Sequence, residues 1–157
     1  MNFNNPTKNN FVFKLVVVIF SILSPLVMVS YSVLPSLSTY WSTPLQPLFI
    51  VSNILTSLLL FNIPKWKLSA IFLFLLTCFS VEYYGPLHNI FAVSFFIVNL
   101  YPLYSIKKYK SMLLIYLMCI IWTPNLLLIE LHAIIILCVY HLLVLLNYNK
   151  IQNKRNL

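Results

Sequence analysis

Glu82-Tyr83-Tyr84-Gly85-Pro86-Leu87-His88-Asn89 holds the only glycine of the chain, one of its two acids and one of its three histidines. Apolar segments run away from it on both sides. A Gly-Pro pair between two such segments predicts a turn, because proline has no N–H with which to continue a helix. A turn cannot lie in hydrocarbon, where unpaired backbone groups find no water, so it is expected at a membrane surface. Glu82, His88 and Asn89 are thereby gathered where lipid meets water.

The composition requires a membrane. Of 157 residues, 61% are hydrophobic and 8% charged, with a mean hydropathy of +0.92, whereas a soluble surface usually draws on about 25% charged residues. A net charge of +8 raises nucleic acid as a partner. The basic residues lie in short clusters at segment ends rather than along one face, so no nucleic-acid partner is expected. Cys78, Cys119 and Cys138 fall inside apolar segments without CxxC or metal-ligand spacing, and read as small core residues.

Working outward, 68–84 and 87–106 are the apolar segments on either side of the Gly-Pro pair. Upstream, a polar, Asn-rich start and Lys14 precede 15–34, with Pro25 a kink inside it. The run is long and has no small-x-small cleavage site, so it reads as an uncleaved span rather than a signal peptide. The link 35–44 is uncharged and rich in hydroxyls, and its Tyr40 and Trp41 favour an ordered loop at the interface. Next comes 45–63, carrying Asn53 and ending at the basic turn Pro64-Lys65-Trp66-Lys67. Downstream of Lys107-Lys108-Tyr109-Lys110, the block 111–148 would be roughly 57 Å long as one helix, nearly twice the core thickness of about 30 Å. It must turn once, and Thr123-Pro124-Asn125 is the turn chemistry available. Spans 111–122 and 126–148 follow.

The expected fold is all-α: a polytopic transmembrane helical bundle of six spans forming one domain over 1–157. Charge agrees with length. With six spans, Lys8 and Lys14, Lys65 and Lys67, Lys107, Lys108 and Lys110, and Lys150, Lys154 and Arg155 all fall on one side. The positive-inside rule makes that side cytoplasmic, with both termini there. The location is then a plasma membrane, or the inner membrane of a bacterium.

The same topology sends the 35–47 loop, Glu82, His88, Asn89, Asn125, Glu130 and His132 to the opposite side. Glu130, in the first turns of the last span, suits a helix N-terminus as a cap or interfacial acid, or else takes part in a polar network. His88 shares a helical stripe with Ala92, Phe95 and Asn99, so this face is expected to point into the bundle. A carboxylate near lipid needs a partner, and Glu130 and His88 are expected to touch and to show nonadditive losses when both are removed.

Glu82, His88, Glu130 and His132 carry atoms that bind metals, yet there is no HExxH and no close histidine pair. His132 and His141 face opposite ways on one helix, while Glu130 and His141 share a face roughly 16 Å apart. No metal, no cofactor and, in the absence of GxSxG, no catalytic residue is assigned. The candidate binding cluster for a lipid headgroup or partner is Ser36, Ser38, Glu82, His88, Asn89 and Glu130.

Pro35-Ser36-Leu37-Ser38, followed by Pro44 and Phe49, and then His88-x-x-x-Ala92-x-x-x-Phe96 with Tyr101 beyond, resemble the six-span DRAM/Frag/Sfk family of membrane proteins and their bacterial relatives. Glu130 looks like that family's acid at the head of the last span. Trp41, Thr39 and Phe91 depart from its usual residues. The resemblance implies lipid handling: relatives are linked to glycosylphosphatidylinositol lipid maturation, phosphoinositide-kinase regulation and lysosomal autophagy control. It supplies no catalytic motif.

The function expected is therefore that of a multi-pass, non-enzymatic, lipid-associated or membrane-regulatory protein whose partners are membrane lipids and other membrane proteins. The alternatives are a membrane-embedded lipid hydrolase or acyltransferase, with or without a metal, and a small-molecule transporter. The transporter is disfavoured by the lack of broken, Gly-rich spans. Cysteines introduced at Ser42 and Asn125 are expected to react with an impermeant thiol reagent from outside intact cells, and cysteines at Trp66 and Tyr109 to stay unlabelled. Labelling at Tyr109 would break the six-span order.

Overall fold

Apolar segments that cannot hydrogen-bond to their surroundings fold so that each backbone N–H and C=O is satisfied within the segment, which here means helices. The computed structural model of the chain describes residues 8–105, 110–122 and 125–155. Among them run α1 (Lys8–Tyr31), a 3₁₀ turn (Leu37–Ser42), α2 (Gln46–Phe61), a second 3₁₀ turn (Pro64–Trp66), α3 (Lys67–Cys78), α4 (Val81–Val98), α5 (Leu100–Ser105), α6 (Lys110–Trp122) and α7 (Leu126–Arg155). No strand occurs among the described residues. Prolines mark the starts of α2 and of the second 3₁₀ turn, where a missing N–H costs nothing.

Among the described residues three stretches are long and apolar enough to cross a membrane: Phe11–Tyr31, Val81–Ser105 and Leu126–Leu146, the second taking in both α4 and α5. Gln46–Phe61 and Ser111–Ile121 are shorter apolar helices. At 12 residues, α3 is only about 18 Å long. Of the expected turn in the last block, Thr123 and Pro124 lie outside the described residues, and Asn125 precedes α7 directly.

The chain does not turn at Gly85-Pro86. α3 ends at Cys78, the reversal is made by Phe79 and Ser80, and Gly85-Pro86 lies inside α4. Ser80 makes this possible as the N-cap of α4: its Oγ accepts the Tyr83 N–H at 3.3 Å. Pro86 is accommodated by a kink, since Tyr84 leaves helical geometry (φ −129°, ψ 35°). That departure eases the clash a proline ring makes with the carbonyl four residues earlier. Gly85, with no positive φ, serves as the residue before a proline in a helix, where a Cβ would crowd the ring.

α1 packs on α2, α2 on α3 and α3 on α4; α5 touches α6, α6 packs on α7, and α7 returns to α1, closing a ring. The Leu37–Ser42 turn, the α3–α4 reversal and the start of α7 share one end, linked by Leu37 to Glu130 and Ser42 to Glu82. The Pro64–Trp66 turn and α5 share the other, where the Lys65 ammonium donates to Ser105 Oγ at 3.1 Å.

Among the described residues three apolar clusters fill the interior. One, at the Lys65 end, centres on Trp66, Leu103, Tyr116 and Tyr140. A second, at the loop end, holds Met28, Leu37, Tyr40, Phe49 and Leu127. The third joins Val17 and Val18 of α1 to Leu59 and Cys138 at mid-height. Cys138 is buried as a core residue and Cys119 is half-buried, but Cys78 is exposed, because it ends a short α3 at the rim. Outward, α1 presents Val12, Val16, Ile19, Leu23 and Leu26, and α4 presents Ile90, Val93 and Ile97. Apolar faces of this extent fit a lipid environment, not water.

Trp66 is 1% exposed, so a cysteine there would report burial as much as sidedness; exposed Lys65 is the better position for labelling. Ser80→Ala is expected to cost about 1 kcal/mol through loss of the helix cap, seen as a lower thermal unfolding midpoint in detergent. Gly85→Ala is expected to change stability by less than about 1 kcal/mol, because the gain in helix propensity opposes the pre-proline clash.

Candidate functional site

The loop after α1 is held by its own hydroxyls. Tyr40, fully buried, donates its hydroxyl to the Ser32 carbonyl. Thr39 Oγ1 donates to the Ser36 carbonyl at 2.5 Å and Thr43 Oγ1 to the Tyr40 carbonyl at 2.8 Å, while Ser36 Oγ and Ser38 Oγ lie 3.0 Å apart. Threonine and serine compete in this way with regular secondary structure and favour compact turns.

What this folding leaves over is the Leu37 N–H, which donates to Glu130 Oε2 at 2.6 Å. Glu130 is thus not the cap of its own helix. That role falls to Asn125, whose Oδ1 accepts the Leu127 N–H at 2.9 Å. With the helix start already satisfied, the half-buried carboxylate is free to bind the loop.

The other expected site residues are dispersed. Glu82 is exposed and accepts from Ser42 Oγ at 3.0 Å, making a rim contact between α4 and the loop. His88 is 2% exposed and its Nδ1 lies 2.7 Å from the Phe79 carbonyl, so that nitrogen carries the donated proton; Nε2 is buried without a partner. His88 therefore braces the α3–α4 reversal instead of meeting Glu130. Asn89, next to His88 and about 100° around the helix from it, is exposed. The stripe itself has the expected orientation: Phe95 and Asn99 are buried with His88, and Ala92 is half-buried. Ser36, Ser38 and Glu130 form one group, Glu82 belongs to the rim, and His88 and Asn89 belong elsewhere.

Behind Glu130 and Ser38 lies a cavity of about 90 Å³ lined by residues of α1, α2, α3, α4 and α7. Leu37, Ser38 and Glu130 line one end and His141 the other. Along α7 these limits are 11 residues apart, about 16 Å. Between them the wall is mostly Leu, Phe, Val and Ile, with Ser21, Ser52, Asn53 and Thr56 interspersed. Its hydroxyls are already engaged. Ser21 Oγ is 2.6 Å from Thr56 Oγ1 and Ser24 Oγ is 2.5 Å from Ser52 Oγ, two rungs that join α1 to α2. Ser21 and Thr56 also reach back to the carbonyls of Val17 and Ser52, each at 2.8 Å.

At the far end the His141 ring stands 4.7 Å from Trp66 and 5.2 Å from Tyr140, centroid to centroid. Its Nε2 is buried without a partner, and Lys14 is close enough to act on it electrostatically. These residues and the two hydroxyl rungs were not among the expected site residues. Their signal was present as Ser21/Ser24 and Ser52/Thr56, pairs three and four residues apart in apolar segments and so on one helix face. Among the described residues no group of three or more His, Cys, Asp or Glu side chains comes together.

No family model matches the chain, and comparison with curated proteins and with solved structures finds no match either.

Glu130→Ala leaves the Leu37 N–H without its acceptor and is expected to cost about 1.5–3 kcal/mol, the range for hydrogen bonds to charged groups; Glu130→Gln, which keeps an acceptor oxygen, should recover part of it. His88→Ala strips a different carbonyl, that of Phe79. The double Ala variant is therefore expected to lose the sum of the two within about 0.5 kcal/mol, measured by thermal or denaturant unfolding in detergent.

Proposed function

We propose that the chain is a six-span membrane protein with both termini cytoplasmic, non-enzymatic, whose non-cytoplasmic end holds a lipid headgroup. The observation that carries this reading is the placement of Glu130 and Ser38 at one end of an apolar cavity roofed by the Leu37–Ser42 turn. An apolar cavity walled by spanning helices suits a chain, and polar groups at its mouth suit a head. The resemblance to the DRAM/Frag/Sfk proteins points the same way, toward lipid handling.

Charge narrows the headgroup. Both acids of the chain, Glu82 and Glu130, lie at the loop end, and Lys65 and Lys67 at the other. Strongly anionic heads are disfavoured where carboxylates stand without basic neighbours, so a zwitterionic or sugar-bearing lipid fits best. The same division of charge supports the cytoplasmic assignment of the Lys65 end. An enzymatic role has less to rest on, since Ser36 and Ser38 are engaged with each other and His88 with a backbone carbonyl.

The protein purified in mild detergent is expected to retain one zwitterionic or glycosylated lipid class enriched over its membrane of origin, as read by native mass spectrometry. Combining Ser38→Ala with Glu130→Gln should reduce that retention several-fold while the protein stays folded. If no class is enriched in the unsubstituted protein, the headgroup reading falls. Impermeant labelling of a Lys65→Cys variant from outside would overturn the sidedness.

A further inference from the structure

The lipid-facing side of α4 carries an amide. Val81–Ser105 is 25 residues long, about 37 Å at 1.5 Å per residue, and so overhangs a hydrocarbon core of about 30 Å by only a few ångströms at each end. Asn89 lies about 12 Å from the start of this stretch and about 24 Å from its end. With the stretch centred in a bilayer, the Asn89 carboxamide sits about 8 Å inside the hydrocarbon.

Asn89 is exposed, and among the described residues none makes a hydrogen bond to its side chain. The other polar groups of α4 are placed differently. Glu82 accepts from Ser42 at the rim, His88 is buried and engaged with the Phe79 carbonyl, Asn99 is fully buried and Ser94 is half-buried. A carboxamide in hydrocarbon has two N–H donors and a carbonyl acceptor to satisfy and no water to satisfy them. In membranes such groups are met by hydrogen bonds from another helix.

The surface around Asn89 suits a packed contact. At 100° per residue, Pro86, Ile90, Val93 and Ile97 fall within an arc of about 60°, and Asn89 flanks it about 40° from Val93. All five are exposed, whereas His88, Phe95 and Asn99 are buried on the far side of the helix. Ile90, Val93 and Ile97 are β-branched and hold nearly one side-chain rotamer in a helix, so packing them against a neighbour costs little further freedom.

We infer that this face of α4 binds a second copy of the chain in a parallel, twofold dimer, with the two Asn89 carboxamides bonded to each other and Ile90, Val93 and Ile97 packed beside them. Depth selects the occupant. Copies inserted with the same orientation hold each residue at the same depth, so across a twofold axis along the membrane normal Asn89 meets Asn89. A carboxamide is suited to meeting itself, because it donates and accepts at once and the pair makes reciprocal N–H···O=C bonds. None of Pro86, Asn89, Ile90, Val93 and Ile97 lines the cavity behind Glu130, so the dimer stands apart from the headgroup reading and requires only that Val81–Ser105 crosses the bilayer.

Cross-linking in the membranes of the producing cell tests the face. On a Cys78→Ser, Cys119→Ala background, which leaves the buried Cys138, Val93→Cys is expected to give a disulfide-linked dimer under mild oxidation. Leu58→Cys is the control. Leu58 of α2 is as exposed as Val93, 53% against 56%, and both lie about 18 Å from the loop-end start of their helix, so Leu58→Cys should stay monomeric.

The amide is tested by diluting the full-length protein into phosphatidylcholine vesicles and reading the dimer fraction by single-molecule photobleaching. Asn89→Leu is expected to dissociate at a protein density about tenfold higher than the parent, and Asn89→Gln, which keeps a carboxamide, to dimerise like the parent. Because Asn89 bonds to nothing described in its own chain, Asn89→Leu should keep or raise the melting temperature, so that its loss of dimer is not unfolding. His132→Leu, which removes another exposed polar side chain, on α7, should leave the dimer unchanged. A monomer at every density, cross-linking at Leu58→Cys equal to that at Val93→Cys, a dimer indifferent to Asn89→Leu, or a dimer lost with His132→Leu would each overturn the inference. So would a different protein or a lipid cross-linked to Val93→Cys in place of the second copy.

Discussion

The hydrogen bond from the Leu37 amide to Glu130, 2.6 Å long, is the contact on which the loop end depends. It fastens the segment that follows the first helix to the last helix, and α1 and α7 are the neighbours that close the ring. Neither partner is easily satisfied otherwise. A buried amide without an acceptor costs about 1–3 kcal/mol, and a carboxylate taken partly out of water needs a donor. The loop hydroxyls, turned onto their own backbone, leave the Leu37 amide as the free donor, and Asn125, by capping α7, leaves Glu130 as the free acceptor.

That closure creates the cavity. Leu37 and Ser38 line it because the turn is pulled over the start of α7, and His141, packed against the Trp66 and Tyr140 rings, lines it farther along that helix. Beside the cavity the serine and threonine pairs between α1 and α2 do two things. They hold the helices together where there is no glycine to allow close backbone approach, as polar residues do in membrane bundles. By engaging each other they also leave fewer unsatisfied hydroxyls facing the mostly apolar wall. A cavity with Ser38 and Glu130 among its lining residues and a mostly apolar wall follows from these pairings.

The α3–α4 region shows a different balance. Proline inside a helix is costly, yet here the cap at Ser80 and the brace from His88 to the Phe79 carbonyl fix the reversal six residues before Pro86. The helix then absorbs the proline by a kink at Tyr84. Local chemistry at Gly85-Pro86 favours a break, and the packing of α3 and α4 moves it.

Some of this was determined by the sequence alone. Helical class, the approximate positions of the apolar segments and the inward face carrying His88, Phe95 and Asn99 follow from composition and a 3.6-residue period, which are local properties of the chain. So does the common face of Glu130 and His141. Tertiary structure alone decided which polar groups meet: that Glu130 takes a loop amide and not His88, that Ser21 pairs with Thr56 and Ser24 with Ser52, that Asn89 points outward, and that the reversal falls at Phe79–Ser80. The reason is physical. Periodicity states which way a side chain faces on its own helix, but a hydrogen bond is made at about 3 Å between atoms on different helices. The rotation and height of one helix against another are set by the whole packed ring, and are not written in any single segment.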